Sequence, residues 1–287
     1  MKEGLAPFAY QGETHHTYYK VFGELEGRTR PPIVVLHGGP GLTHDYTLPH
    51  ADLAEQSFPV VFYDQLGSGR STHLREKPLS FWAIDLFLDE LENLLQHLGI
   101  HDEFHIVGQS WGGMMASEYV LRRHPKGLRR LVIEGSPADM VSWNGSSKAL
   151  LEKFPQWVKD TLAKGPSDRV PYWNAMLEFY KIHGCRVQPF PEDFIRTLEF
   201  KYGENGDRTV DGSHILKGWT IVDCLHDVDV PTLVVNGAYD IADDEIVKPY
   251  VENIPNSKWV KFDSSSHTPF WEEREKYMQI VGEFLAE

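Results

Sequence analysis

Cysteine is scarce in this sequence, and no stretch of it is both long and apolar. Only Cys185 and Cys224 occur among 287 residues, so disulfides are not the main support of the fold, and a chain of this length buries a core without them. No apolar run approaches the roughly 20 residues of a membrane-spanning helix. The opening stretch, MKEGLAPFAYQGE, lacks the apolar region of a secretory signal. We therefore expect a soluble cytoplasmic protein with no membrane partner.

Basic residues are also few. Lys and Arg total 28 against 42 Asp and Glu, which gives a net charge of −14, and the basic residues are scattered, so nucleic acid is not an expected partner. The sequence contains no P-loop, no dinucleotide-binding glycine pattern and no His/Cys cluster with zinc spacing. We expect no cofactor and no metal, and a small molecule or short peptide as the partner; the oligomeric state is not determined by the sequence.

Short apolar runs alternate with helical patterns along most of the chain. The runs TYYKVF, IVVLH, VVFYD, FHIVG, LVIEG, TLVVNG and KWVKF are typical of strands, and their alternation with helices indicates a mostly parallel sheet flanked by helices. Between about Ser136 and Asp229 only helical patterns occur. We predict an α/β fold whose core comprises residues 1–134 and 230–287, with an inserted helical cap at 135–229.

A candidate nucleophile stands in the stretch GQSWGG. Gly108, Ser110 and Gly112 match G-x-S-x-G between a predicted strand and a predicted helix, the context of a turn that exposes the serine hydroxyl above the sheet. A structural glycine-rich turn is the alternative. A serine needs a histidine to take its proton and an acid to orient that histidine.

His267 and Asp240 follow predicted strands at the edge to which such a turn points. Chain order and strand-end position distinguish His267 among 14 histidines. Glu134 also ends a strand and is the main rival of Asp240. The other acidic candidates lie farther along the chain, where helix capping explains them: Asp243, Asp244 and Glu245.

The stretch HGGPG, residues 37–41, follows another predicted strand. Attack on a carbonyl produces an oxyanion that requires preorganised N–H donors, and we expect these to be the amides of Gly39 and Trp111. A plain glycine turn is the alternative. The stretch DQLGSGRS ends the next strand, and we interpret Asp64 and its glycines as loop architecture without an ionisable partner.

These motifs together resemble the proline iminopeptidase and L-amino-acid amidase branch of the α/β-hydrolases. The matching stretches are HGGPGLTHDY, VFYDQLGSGRS, GQSWGG, VPTLVVNGAYD and SSSHTPFWEERE, in the family's order. The resemblance implies an α/β-hydrolase fold with a substrate-covering cap. It implies a triad of Ser110, Asp240 and His267, and an oxyanion hole formed by Gly39 and Trp111.

The sequence departs from the aminopeptidases of that branch at two places. They typically have a glutamate directly after the catalytic aspartate, where this chain has Ile241, and a cap motif GPNEF, where it reads YGENGDRT. A desolvated ammonium needs paired charge; Glu204 or Asp207 are the candidate replacements. The expected substrate contacts are Gly38, Glu204, Asp207, Ile241, Trp157, Tyr172, Trp173 and Phe179, although helix packing explains the four aromatic residues equally well.

The leading functional hypothesis is a serine hydrolase that cleaves an amide or peptide bond through an acyl-enzyme on Ser110. An esterase or lactonase acting on a small apolar metabolite is the first alternative, because Ile241 leaves no evident ammonium clamp. A noncatalytic ligand-binding protein is the alternative from another class. The order of serine, acid and histidine argues against it.

Overall fold

The structure, a computed structural model, describes every residue from Met1 to Glu287. Eight strands form one sheet in the order β1-β2-β4-β3-β5-β6-β7-β8. The pairs β1–β2 and β2–β4 are antiparallel, and all other neighbours are parallel. The strands are β1 Lys2–Tyr10, β2 Glu13–Phe22, β3 Ile33–Leu36, β4 Val60–Tyr63, β5 Phe104–Gln109, β6 Leu128–Glu134, β7 Thr232–Gly237 and β8 Ser257–Phe262.

Helices cover both faces of this sheet. Three 3₁₀ segments occur at His44–Gln56, Leu79–Phe81 and Val222–Asp227. The α-helices are α1 Ile84–His97, α2 Trp111–Arg123, α3 Met140–Leu151, α4 Gln156–Lys164, α5 Arg169–His183, α6 Glu192–Tyr202, α7 Thr209–Gly212, α8 Asp244–Asn253, α9 Pro269–Glu272 and α10 Arg274–Ala286. No helix combines the length and the apolar character that crossing a bilayer requires.

The central strands are apolar on both faces because helices pack on each of them. Successive side chains of a strand point in opposite directions, so Val34 and Leu36 of β3 join one buried cluster and Ile33 and Val35 join the other. The first cluster includes side chains of α1, α2 and α8, and the second includes side chains of α10. The continuous apolar run IVVL thus predicts a strand buried on both sides, as the structure shows.

The predicted α/β-hydrolase architecture is present, with one local difference. β1 was not expected, because Gly4 and Pro7 interrupt its apolar pattern; it lies at the edge of the sheet, where proline is tolerated. Farther along the chain, Pro155 is the residue that precedes α4. Residues 135–229, hereafter the helical insertion, contribute α3 to α7 and no strand of the sheet.

Gly112 marks the closest approach of α2 to the sheet. A Cβ atom added there would lie 2.0 Å from the carbonyl oxygen of Leu36. We expect Gly112→Ala to lower the free energy of unfolding by about 1–3 kcal/mol or more, since backbone must move to admit the methyl group. The control is Gly145→Ala in α3, where nothing lies within 4 Å, and a gain of about 0.5–1 kcal/mol is expected. Equal effects of the two changes in denaturant unfolding would contradict this packing argument.

Candidate active site

Ser110 occupies a sharp turn between β5 and α2. Its backbone angles are φ 55° and ψ −120°, a strained conformation for a residue with a side chain. Its N–H donates to the carbonyl of Glu134 at 2.8 Å, and its own carbonyl accepts from the hydroxyl of Ser136 at 2.5 Å. A Cβ on Gly108 would lie 2.5 Å from the carbonyl oxygen of Gly112, so the turn requires glycine there. The surrounding backbone holds the serine in a conformation that directs its hydroxyl to a cavity.

His267 and Asp240 form a hydrogen-bonded pair beside that cavity. Asp240 lies after β7 and His267 after β8, and Nδ1 of the histidine lies 2.6 Å from Oδ1 of the aspartate. Asp240 is buried, and its Oδ1 also accepts from the amide of Ala242 at 2.9 Å. Burial disfavours the imidazolium, but the charge of Asp240 and the hydrogen bond to it outweigh that penalty, so the pKa of His267 is raised. The pair therefore orients the ring with Nδ1 protonated.

Ser110 and His267 border one cavity of about 200 Å³. No direct hydrogen bond joins their side chains; contacts between a nucleophile and its base often become short only in the complex with substrate. Of the predicted residues, the cavity brings together Gly39, Ser110, Ile241 and His267, with Asp240 behind the histidine.

Glu134, the main rival acid, faces a different histidine. Its Oε1 lies 3.3 Å from Nε2 of His50, which also lies 2.9 Å from the hydroxyl of Tyr277. All three side chains are buried. Glu134 therefore belongs to a polar cluster behind the site rather than to the pair that contains His267.

The acidic residues farther along the chain lie at the start of α8, where they make local contacts. Asp243 accepts from the amides of Glu245 and Ile246 at 3.1 and 3.2 Å, which caps the helix. Asp244 bonds to Lys261 at 2.8 Å. None of the three acids orients the histidine of the site.

The glycine loop after β3 presents a free amide to the cavity. Neither the amide of Gly39 nor that of Trp111 donates a hydrogen bond within the protein. Gly39 has φ +124°, and a Cβ there would lie 2.7 Å from the amide of Gly41, so the loop needs glycine at this position. The preceding amide, of Gly38, is already used: it donates to the hydroxyl of Tyr46 at 2.6 Å. Two backbone donors near Ser110 are therefore unpaired, and that of Gly39 belongs to a residue that lines the cavity.

Two polar residues that sequence reasoning missed join the loop, the turn and the histidine. The hydroxyl of Tyr46 donates to Oε1 of Gln109 at 2.5 Å, and Nε2 of Gln109 donates to the carbonyl of His267 at 3.0 Å. Both residues stand inside recognised motifs, THDY and GQSWGG, but their partners are 63 and 158 positions away. Only the fold reveals this connection.

A second chain of hydrogen bonds supports the other side of the loop. The indole N–H of Trp111 donates to Oε1 of Gln65 at 2.7 Å, and the amide of Gln65 donates to Nε2 of His37 at 3.0 Å. Nδ1–H of His37 then donates to the carbonyl of Gly38 at 2.9 Å. Burial lowers the pKa of His37 to about 4, so its ring is neutral and its tautomer is set by these two contacts.

The expectation that Asp64 has no ionisable partner is wrong. His44 lies 2.7 Å from its Oδ1, and Arg70 lies 3.2 Å from its Oδ2 while also bonding to Asp45. Burial favours the neutral acid, but the contacts with His44 outweigh it and hold the pKa of Asp64 below its usual range. The stretch is loop architecture as expected, stabilised by an ion-pair network that its sequence does not reveal.

Glu204 and Asp207, the candidate ammonium partners, lie outside the cavity of Ser110. Glu204 borders a separate groove of about 720 Å³. Asp207 is bound to His73 at 2.6 Å and to the amide and hydroxyl of Thr209 at 2.9 and 2.6 Å. The carboxylate that does border the cavity is Asp211, 3.0 Å from Lys201; neither residue was expected.

The aromatic residues named from the sequence also lie elsewhere. Trp157 is half exposed on α4, and Trp173 borders the 720 Å³ groove. Tyr172 packs on Tyr202, and Phe179 packs within the helical insertion. The aromatic residues that line the cavity are Tyr46, Trp143, Tyr180, Phe194 and Tyr202.

Comparison with known proteins places this geometry in a family. A family model described as the alpha/beta hydrolase fold matches residues 31–274. The proline iminopeptidase of Clostridioides difficile (strain 630) is 34% identical, over 99% of this chain and 97% of that protein. The crystal structure of VinJ is 41% identical with a TM-score of 0.90, covering 99% of this chain and 98% of that one.

A second solved structure is also similar to this chain over nearly its whole length. The proline iminopeptidase of Mycobacterium smegmatis is 34% identical with a TM-score of 0.84, covering 99% of this chain and 98% of that one. The similarity in sequence and in backbone therefore extends over nearly the whole length of the chain. The chain belongs to the α/β-hydrolase family, in the branch of the proline iminopeptidases.

Proposed function

We propose that this protein is a serine hydrolase that cleaves amide or peptide bonds through an acyl-enzyme on Ser110. The observation on which the proposal depends is the convergence on one cavity of a strained serine, a histidine paired with a buried aspartate, and the unpaired amide of Gly39. The second unpaired amide, that of Trp111, directly follows the serine in the chain. This combination serves acyl transfer. The proline iminopeptidases to which the chain is similar support the amide as the scissile group.

In the proposed reaction, Oγ of Ser110 attacks the carbonyl carbon while Nε2 of His267 takes the hydroxyl proton. Asp240 holds Nδ1–H and stabilises the imidazolium. The amides of Gly39 and Trp111 donate to the oxyanion, and its collapse breaks the C–N bond as His267 returns the proton to the leaving amine. Water, deprotonated by the same nitrogen, then hydrolyses the ester and regenerates Ser110.

We further propose that residues 1–134 and 230–287 form the catalytic core and that the helical insertion at 135–229 is a cap over the substrate. In support, the cavity of Ser110 is lined by residues of both parts, such as Gln109 and Thr268 of the core and Tyr180 and Leu198 of the insertion. Substrate selection therefore falls mainly to the insertion, because the reacting groups act on any carbonyl that reaches them.

An ester or lactone of an apolar acid is the second candidate substrate. The specific observation in its favour is Ile241, which is buried and lines the cavity directly after Asp240. Leu42, Phe194 and Leu198 extend that apolar surface. A hydrolysis panel of free and N-acylated amino-acid amides beside simple esters and lactones separates the two candidates.

Removal of the nucleophile tests the mechanism. We expect Ser110→Ala to fold normally and to lose at least about 10⁴-fold in kcat on an activated ester, because no acyl-enzyme can form. A fluorophosphonate should label the wild type at Ser110 and leave the variant unlabelled. Turnover like that of the wild type in a folded variant would remove Ser110 from the mechanism, and an unlabelled wild type would favour a noncatalytic role.

The His267 pair predicts a specific pH dependence. Since Asp240 raises the pKa of His267, kcat/KM should fall as the pH drops through that raised value, where the imidazolium can no longer accept the serine proton. In Asp240→Asn, burial remains without the balancing charge, so the imidazole pKa should drop. NMR titration of His267 measures it directly in both proteins. A pKa that is unchanged or raised in Asp240→Asn would contradict the assigned pairing.

Ile241 offers a test of amine recognition. A carboxylate at this position would pair with a substrate ammonium, whereas isoleucine makes a charged group expensive to desolvate. Ile241→Glu should raise kcat/KM for free amino-acid amides relative to their N-acetyl counterparts. The expected factor corresponds to about 1–3 kcal/mol of transition-state free energy. The ratio between substrates is the measurement, because the new charge also affects the Asp240–His267 pair. A wild type that already prefers the free amine by about a hundredfold would contradict the inference from Ile241.

A further inference from the structure

An ion pair with a buried lysine borders the same cavity as Ile241. Lys201 of α6 is only 4% exposed, and its Nζ lies 3.0 Å from Oδ1 of Asp211 in α7. The same nitrogen donates to the carbonyl of Pro40 at 2.9 Å. Pro40 directly follows Gly39, whose amide faces the reacting carbonyl in the proposed mechanism. The pair therefore lies next to the position of the scissile group.

Lys201 and Asp211 are the two permanently charged side chains that line the cavity. Among the 17 lining residues, Asp211 is the only carboxylate and Lys201 the only lysine or arginine, beside the titratable His267. Arg208 lies 4.0 Å from the other oxygen of Asp211, but it is 40% exposed and outside the cavity, so solvent screens it. The two charges balance each other inside the cavity.

The hydrogen-bonding capacity of the pair is not exhausted. An ammonium has three N–H donors. Lys201 donates one of them to the carbonyl of Pro40, and its Nζ forms an ion pair with Asp211. A carboxylate accepts several hydrogen bonds, and Asp211, with a side chain 34% exposed, retains free acceptor positions. Lys201 thus has unused donors beside unused acceptor positions of Asp211, since Nζ of the lysine and Oδ1 of the aspartate are 3.0 Å apart.

We propose that the Lys201–Asp211 pair determines substrate specificity by selecting a neutral group that presents a hydrogen-bond acceptor and a donor side by side, such as a carbamoyl or carboxamide. This inference deepens the proposed function and rests on it. The acceptor binds Lys201 and the donor binds Asp211, so neither charge is left unmatched. A substrate ammonium meets the repulsion of Lys201, and a substrate carboxylate meets that of Asp211.

A purely stabilising role does not explain this pair well. Desolvation of the buried Lys201 offsets part of its attraction to Asp211, and apolar residues of similar volume often stabilise a protein as well as a buried charge does. The wall around the pair already contains apolar and aromatic side chains, Leu198 and Tyr202 among them. Charges retained in such a wall are instead suited to discriminate between ligands.

The test compares binding of three ligands that differ in one group. They are leucine anilide with a free ammonium, its neutral N-carbamoyl derivative and its anionic N-oxalyl derivative, and calorimetry in the Ser110→Ala background measures their Kd without turnover. The parent should bind the carbamoyl ligand at least about tenfold more tightly than either charged ligand. Lys201→Met should improve binding of the ammonium ligand relative to the carbamoyl ligand by about 10- to 100-fold in Kd. Asp211→Asn should improve binding of the oxalyl ligand relative to the carbamoyl ligand by a similar factor.

Lys181→Met is the matched control, because Lys181 also pairs with a carboxylate, Glu178, but on the exposed surface of the helical insertion. The Kd ratios between the three ligands in this variant should stay within about twofold of those of the parent protein. If Lys201→Met fails to fold, the Kd ratios of the isosteric Asp211→Asn variant alone test the inference. Ratios unchanged in the folded variants overturn the inference. Ester hydrolysis by the protein with Ser110 intact, run in parallel, tests the proposed function separately.

Discussion

The parallel pairing of β3, β5, β6, β7 and β8 places the carboxyl ends of these strands at one edge of the sheet. The glycine loop follows β3, Ser110 follows β5, Asp240 follows β7 and His267 follows β8. Residues that are up to about 230 positions apart thereby meet at one cavity. The close approach of Gly112 to Leu36 adds to this constraint, because it fixes where α2 begins relative to β3.

Hydrogen bonds then set the relative positions of the loops on that edge. Tyr46 and Gln109 connect the amide of Gly38 with the carbonyl of His267, and Gln65 connects Trp111 with the ring of His37. The two histidines differ because their hydrogen-bond partners differ: His37 bonds only to backbone groups and burial lowers its pKa, whereas the carboxylate of Asp240 raises the pKa of His267. Preorganised polar groups of this kind are what stabilisation of a charged transition state requires.

The sequence predicts what depends on local pattern and chain order. Apolar runs locate seven of the eight strands, and strand-end position selects Asp240 and His267, whose side chains the structure brings within 2.6 Å. It does not predict β1, whose pattern Gly4 and Pro7 obscure. Contacts between distant segments leave no local signal: Lys201 reaches Pro40 across 161 positions.

The same limit explains the substrate-facing residues. The aromatic positions of α4 and α5 repeat at helical spacing, and that spacing does not tell whether a side chain faces the neighbouring helices, the outer groove or the cavity. Trp173 borders the outer groove, whereas Trp143 and Tyr180 line the cavity of Ser110. Which of these surroundings an aromatic side chain faces depends on how the helical insertion packs on the core.

In the proposed mechanism, the strained serine, the histidine pair and the two free amides act on one carbonyl. The sharpest test is a crystal structure of the protein after reaction with a fluorophosphonate. We expect a covalent bond to Oγ of Ser110, with one phosphonyl oxygen about 2.7–3.1 Å from the amide nitrogens of Gly39 and Trp111. We also expect Nε2 of His267 within hydrogen-bonding distance of the adduct. A label on another residue, or a phosphonyl oxygen that points to solvent away from both amides, would disprove the proposed mechanism.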